Sequence, residues 1–199
     1  MKKLLHVGCG QNRIKQTTVG FQNGLWKEIR LDIDPKNNPD IVGNIMDMQS
    51  IQNSSIDAIF SSHNLEHLYY HEVLVALAEF RRVLNTTGFC ITTCPDLQSV
   101  SSLIANDKLL DTAYPSAVGP ITPLDILYGH SQSILQGNYY MAHRCGFTKK
   151  TLEQILLQSG FKSVKVKQRP DFFDLWALAT QDLLSPTLLE NLAKNHFPV

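Results

Sequence analysis

The chain has no excess of either charge, no long apolar run, no cysteine spacing that marks a pair and no internal repeat. Lys plus Arg number 18 and Asp plus Glu number 18, so the formal net charge is zero. That balance gives no support for a nucleic-acid or anionic-membrane partner, and neither is expected. No apolar run approaches the roughly 18 residues needed to span a bilayer. "MKKLLHVG" imitates the start of a signal peptide, but His6 and Gly8 cut its apolar region short. The four cysteines, Cys9, Cys90, Cys94 and Cys145, lack the spacing of a metal or redox motif, and a reducing cytoplasm is the compartment they imply. What is present is ordinary globular material: 43% apolar and 18% charged residues in 199, enough for one domain with a sizeable core.

Strand-like runs alternate with turns and helical patterns. "KLLHV", "KEIRLDI", the short "PDIV", "SIDAIFSS" and "GFCITTCP" read as five strands, the last opened by the turn "NTTG" and closed by Pro95. Between the last two, Val73, Leu77, Phe80 and Leu84 recur every three to four residues, with Leu74 widening the stripe, which predicts a helix. A second helix is predicted in "FTKKTLEQILLQSG". Thr148 is its N-cap, Leu152, Ile155 and Leu156 its apolar face, and Gly160 its C′ glycine. "KSVKVKQR" and "DLWALAT" are close enough to form an antiparallel hairpin. Such alternation predicts an α/β fold: a doubly wound, mostly parallel sheet covered on both faces, with an antiparallel strand added by the C-terminal hairpin. From Gln11 to Trp26, Gly20 and Gly24 interrupt any apolar period, so the first crossover is expected to be a loop or a short helix.

The chemistry begins at "LLHVGCGQN". Ligands of such sheets sit outside the carboxyl ends of the strands, and Gly8 and Gly10 fall at the end of the first one. Glycines there can let a nucleotide-like cofactor approach the backbone, or can simply make a tight turn. "RLDIDP" places Asp32 near the end of the second strand, about twenty residues on, where an acid can accept hydrogen bonds from a ribose diol. Asp34 competes for that role.

"LLHVGCG", "RLDIDP", "PDIVGNIMDM", "SIDAIFSSHNLEHL", "EFRRVLNTTGFCITTCPDL" and "FTKKTLEQILLQSGF" resemble, in order and spacing, the successive motifs of class I S-adenosylmethionine-dependent methyltransferases, most nearly the type 11 subgroup. The resemblance runs from residue 4 to about 96 and resumes from about 143 to 180. It implies a Rossmann-like, seven-stranded sheet, the cofactor S-adenosyl-L-methionine, and a small-molecule or glycan-type methyl acceptor. It also implies residue roles. Gly8, Cys9 and Gly10 would pass under the methionine and ribose. Asp32 would hold the ribose hydroxyls, and Ile33 would pack on the adenine. Asn44 and Ile45 would lie near the adenine amino group, and Ser61, Ser62 and His63 would line the methionine end. Four positions depart from the family pattern: His6 replaces the first-strand acid, Asn12 the third glycine, Asn44 an acid, and Asn-Thr-Thr-Gly the usual Pro-Gly-Gly turn. Residues from about 97 to 146 would be a substrate-covering insertion within a single domain spanning 1–199. There Tyr139, Tyr140 and Arg144 suit a planar or anionic substrate group, with Tyr69 and Tyr70 as weaker candidates.

For a hydroxyl acceptor a general base is needed, and His63 and His143 are the candidates. "HNLEH" also fits H-x-x-E-H, in which His63 and His67 on one helix face would ligate zinc with Glu66 as base. That reading leaves "GCG" and "LDIDP" unexplained, so no metal ligand is assigned, and Glu66 and His67 are expected to cap and pack a helix start. Cys90 and Cys94 share one sheet face and read as core, as do Phe173 and Trp176, with Phe172 open. Two further classes compete: a catalytically degenerate methyltransferase fold acting as a binding or scaffold protein, and a nicotinamide-dependent enzyme.

Overall fold

A computed structural model describes residues 1–198. A seven-stranded sheet holds β1 (Lys2–Val7), β2 (Trp26–Asp32), β3 (Ile41–Val42), β4 (Ile56–Ser62), β5 (Leu84–Pro95), β8 (Ser163–Arg169) and β9 (Asp174–Thr180) in the order β3-β2-β1-β4-β5-β9-β8. β6 (Tyr114–Ser116) and β7 (Gly119–Ile121) form a separate small hairpin. Strands β1 to β5 are mutually parallel, while β9 runs antiparallel to both β5 and β8. The fold is therefore the α/β Rossmann-like arrangement expected, with one reversed strand near the C-terminal edge.

Side-chain alternation along the strands builds two cores. Leu5, Val7, Ile59, Cys90, Cys94 and Ala177 face α1 (Tyr70–Val83) and α5 (Lys149–Gln158), which contribute Val73, Leu77, Phe80, Leu152, Ile155 and Leu156. Thr148 caps α5 by accepting from Thr151 N–H, and Gly160 follows it at φ +95°. Leu4, Ala58, Phe60, Phe89, Ile91 and Leu178 face the opposite way. That second face lacks a first-crossover helix. Two short turns, Ile14–Gln16 and Val19–Phe21, replace it and insert the fully buried Phe21. A helix absent from the sequence reading, α6 (Pro186–His196), completes the cover. Its His196 lies 4.4 Å from Phe21 and 5.1 Å from Phe89, ring centre to ring centre, and shares a 2.6 Å hydrogen bond with Thr18. Gly20 admits this packing, since a Cβ there would lie 2.5 Å from the His196 ring.

Two further expectations change. β5 starts at Leu84, directly after α1, rather than at Gly88; "NTTG" is folded into the strand, and the pairing with β4 shifts register between Ile56 and Ala58. Phe173 and Trp176 are half-buried at the core margins, and Phe172 is exposed beneath the Arg169 guanidinium. The segment from 97 to 146 carries α2 (Leu97–Ala105), the β6–β7 hairpin, α3 (Pro123–Tyr128) and α4 (Ser131–Leu135), with a small apolar cluster of its own around Val100, Ile121 and Ile126.

Candidate functional site

The chain turns outward from β1 to β2 and β3, then returns to the other side of β1 as β4. Loops leaving β1 and β4 thus diverge and leave a crevice above the carboxyl ends of the strands. A cleft lies there, lined by Gly8, Gly10, Asp32, Ile33, Asn44, Ile45, His63, Asn64, His67, Tyr140 and Arg144 among others.

Its floor is a glycine turn gripped by β2. Gly8 and Gly10 have φ of +58° and +52°, which side-chain-bearing residues rarely adopt. The space beside the two glycines differs. A Cβ at Gly8 would lie 2.6 Å from the Asn64 side chain, so that vacancy belongs to the β4 loop; a Cβ at Gly10 would meet nothing within 4 Å. Gly10 N–H donates to Asp32 at 2.7 Å, and Asp34 N–H donates to the other Asp32 oxygen at 2.9 Å. Each oxygen of this buried carboxylate keeps acceptor capacity for a donor in the cleft. Asp34, the rival acid, also lines the cleft, and one of its oxygens caps the turn Pro35–Asn37 by accepting from Lys36 N–H.

The remaining expected residues divide. Ile33, 44% exposed, and Ile45 present apolar surface to the cleft. Asn44 lines it while its side-chain Oδ1 accepts from Met46 N–H at 2.9 Å. Cys9 points inward, and burial pushes its thiol up to about 11. Ser61 is buried, and Ser62 is bonded to Thr93 at 2.8 Å; neither lines the cleft. Tyr140 and Arg144 line it, but Tyr139 is 71% exposed outside it. The aromatic that meets Arg144 is Tyr69, whose ring centre is 5.0 Å from the guanidinium carbon.

The histidines are arranged differently from the H-x-x-E-H reading. Residues Leu65–His67 form a short 3-10 turn, not an α-helix, and His63 precedes it at φ +48°. His63 and His67 therefore do not share a helix face. Glu66 is fully buried at the centre, its Oε1 3.2 Å from His63 Nδ1. Burial opposes the charge on each, but their contact and mutual attraction prevail: the His63 pKa is raised and the Glu66 pKa lowered. Glu66 also ties down the end of the 97–146 segment, its backbone carbonyl accepting from Arg144 N–H at 2.8 Å and Cys145 N–H at 3.2 Å. This brings His143 beside His67, ring centres 4.9 Å apart. His143 does not line the cleft. It lies behind His67 with Nδ1 2.9 Å from the Ile126 carbonyl oxygen of α3, and burial lowers its pKa.

Two residues of the site escaped the sequence reading. Asn64 fills the hollow at Gly8. Arg30, buried to 1% exposure, binds the carbonyls behind the glycine turn. Arg30 was legible only as the second of three polar residues, Glu28, Arg30 and Asp32, alternating along a strand otherwise expected to be apolar.

A family profile described as a methyltransferase domain matches residues 5–92, from β1 into β5. Among solved structures, the chain resembles an S-adenosylmethionine-dependent methyltransferase from Archaeoglobus fulgidus at 15% identity, with TM-score 0.60, covering 90% of this chain and 86% of that one. It resembles Burkholderia thailandensis 1,6-didemethyltoxoflavin-N1-methyltransferase at 13% identity and TM-score 0.55, covering 89% and 70%. A Thermotoga maritima protein described as a possible histamine N-methyltransferase matches at 14% identity and TM-score 0.57, covering 92% and 83%. No curated protein matches the sequence. The chain has the class I S-adenosylmethionine-dependent methyltransferase fold. Among the described residues, no helix is long and apolar enough to cross a membrane.

Proposed function

We propose that the chain transfers the methyl group of S-adenosylmethionine to a small-molecule or glycan-type acceptor. The observation that carries this reading is the pairing of Gly10 with Asp32 at the switch point of the sheet. A backbone turn that tolerates close approach stands beside a buried carboxylate with acceptor capacity to spare.

The residues present suit an adenosyl cofactor. Asp32 would accept from the ribose hydroxyls, each charge-assisted bond contributing on the order of 1.5–3 kcal/mol. Ile33 and Ile45 would cover the adenine, with Asn44 offering its amide at the rim. Bound S-adenosylmethionine supplies an electrophilic methyl on a sulfonium. The protein's part is placement, which can lower the barrier by up to roughly 7–11 kcal/mol when two reactants are aligned. His63 faces the cleft, and Glu66 supports its charged form, so it can receive and hold a proton from a hydroxyl acceptor. Of the two expected bases, His143 lies outside the cleft lining, and the role is proposed for His63 alone. Tyr140 and Arg144 line the cleft and would contact a planar or anionic acceptor group.

Calorimetric titration with S-adenosylmethionine and its demethylated product tests this. Saturable one-to-one binding supports the reading. No binding at millimolar concentration would leave the fold as a scaffold without the enzyme.

A further inference from the structure

The sequence assigns no metal ligand, yet the fold turns one carboxylate and two imidazole lone pairs toward one another. We propose that Glu66, His67 and His143 form a binding site for a divalent transition-metal ion of the zinc class, at the wall of the cleft.

Both Glu66 oxygens are buried and have no hydrogen-bond partner; His63 Nδ1 comes within 3.2 Å of one without the alignment of a bond. His63 thus supports one oxygen by charge, and the other faces no positive group from that side; a fully buried carboxylate oxygen left so is costly unless something positive completes it. The two neighbouring rings do not do so. His67 Nδ1 lies 3.1 Å from the Ala142 carbonyl oxygen, and His143 Nδ1 lies 2.9 Å from that of Ile126. A carbonyl only accepts, so each Nδ1 must carry the proton, and in the neutral ring each Nε2 is a bare lone pair. A ring nitrogen that donates to a backbone carbonyl while the other stays free is the arrangement metal-binding histidines adopt.

One ligand atom from each of the three residues lies within 4.8 Å of the other two. Ligands at roughly 2.1 Å around a tetrahedral ion stand about 3.4 Å apart, so side-chain adjustment of about an ångström closes the set. Two imidazoles and a carboxylate suit borderline ions and leave a coordination position open. His67 lines the cleft, so that position is placed toward it. The site is distinct from the peptidase pattern: Glu66 is a ligand rather than a base, and the third ligand comes from the 97–146 segment.

The test uses the full chain stripped with chelator and titrated with zinc chloride by calorimetry, then with cobalt(II) chloride by visible absorption. One-to-one binding is expected, with cobalt bands of nitrogen and oxygen ligation. His67→Ala and His143→Ala should each weaken zinc by about 100-fold or more, beyond the roughly 10–100-fold that losing an outer hydrogen bond costs. Glu66→Gln, nearly isosteric, should do the same, while the exposed His71→Ala should leave the affinity unchanged. Circular dichroism melts show that each variant is folded. Absence of zinc binding at millimolar concentration, affinity indifferent to His67 and His143, or a thiolate-to-cobalt band near the ultraviolet would each overturn the site. The inference does not rest on methyl transfer: S-adenosylmethionine binding without zinc binding would overturn it alone, and the reverse would overturn only the proposed function.

Discussion

The Arg30 guanidinium donates to the Gly10 carbonyl at 2.5 Å, while two residues later on the same strand Asp32 accepts from the Gly10 N–H at 2.7 Å. One peptide turn is thus gripped from both sides by alternate residues of β2, which share a face of the sheet. Arg30 also donates to the carbonyls of Asn12 at 3.1 Å, Asn37 at 3.1 Å and Asn38 at 2.7 Å. A crossover helix would satisfy most of its own carbonyls; loops cannot, and the buried guanidinium takes their place.

Replacing Arg30 should therefore damage the site through the backbone. Arg30→Met leaves four carbonyls without their donor, and unmet buried acceptors cost about 1–3 kcal/mol each, offset where water enters. Urea denaturation is expected to show a loss above about 2 kcal/mol. Arg30→Lys should recover only part, because one ammonium cannot fork among four carbonyls. A loss under about 0.5 kcal/mol, the range of ordinary surface substitutions, would contradict this account.

Asp32→Ala is expected to weaken S-adenosylmethionine binding well over tenfold by calorimetry, since two charge-assisted bonds at about 1.5–3 kcal/mol each are at stake. The melting temperature of the unliganded variant separates loss of the ribose contact from loss of the Gly10 turn. Unchanged affinity would remove Asp32 from the cofactor geometry.

His63 sits at φ +48°, outside the favoured region, with its N–H held by the Thr93 carbonyl at 2.9 Å. Such strain costs on the order of 1–3 kcal/mol and is retained where a side chain must be aimed. His63→Gly should be more stable than His63→Ala by about 1 kcal/mol, because glycine adopts this φ freely. Both should lower turnover far more than cofactor affinity. Intact turnover in either would rule out the proton-accepting role.

His196 ties acid stability to the C-terminal helix. Burial among Phe21, Phe89 and Thr18 lowers its pKa to about 4. Below the unfolded value, near 6.5, the unfolded chain binds the proton first. The stabilisation is thus complete above about pH 6.5 and is lost as pH falls toward 4, on the order of 3 kcal/mol in all. His196→Phe should flatten the difference in urea stability between pH 7 and pH 4.5. An unaltered pH slope would show that the ring is solvated in solution.

The strands were legible because their side chains follow the period of two and end in turn residues; β1, β2, β4 and the hairpin β8–β9 fall where the pattern places them. Asp32 was legible for the same reason, as an acid ending an apolar strand. That Asp34 caps the turn Pro35–Asn37 while still lining the cleft was visible only in the structure. α6 was missed although Ser185, Pro186 and the leucines after them carry a helix start; nothing local says which surface such a helix covers. The peptidase reading failed for a related reason, since H-x-x-E-H means adjacent ligands only on an α-helix, and residues 65–67 take a 3-10 turn.

Local pattern alone thus determined the strand sequence, the glycine turn and the carboxylate that follows it, because these depend on residue type and spacing within a few turns of chain. Only the tertiary structure decided that Asn64 fills the hollow at Gly8, that Arg30 serves loops rather than solvent, and that His143 comes to Glu66 and His67 from 76 positions beyond His67. The first two rest on side chains meeting distant backbone and the last on backbone hydrogen bonds from Arg144 and Cys145 to the Glu66 carbonyl, and no periodicity in the sequence encodes which carbonyl a remote donor will find.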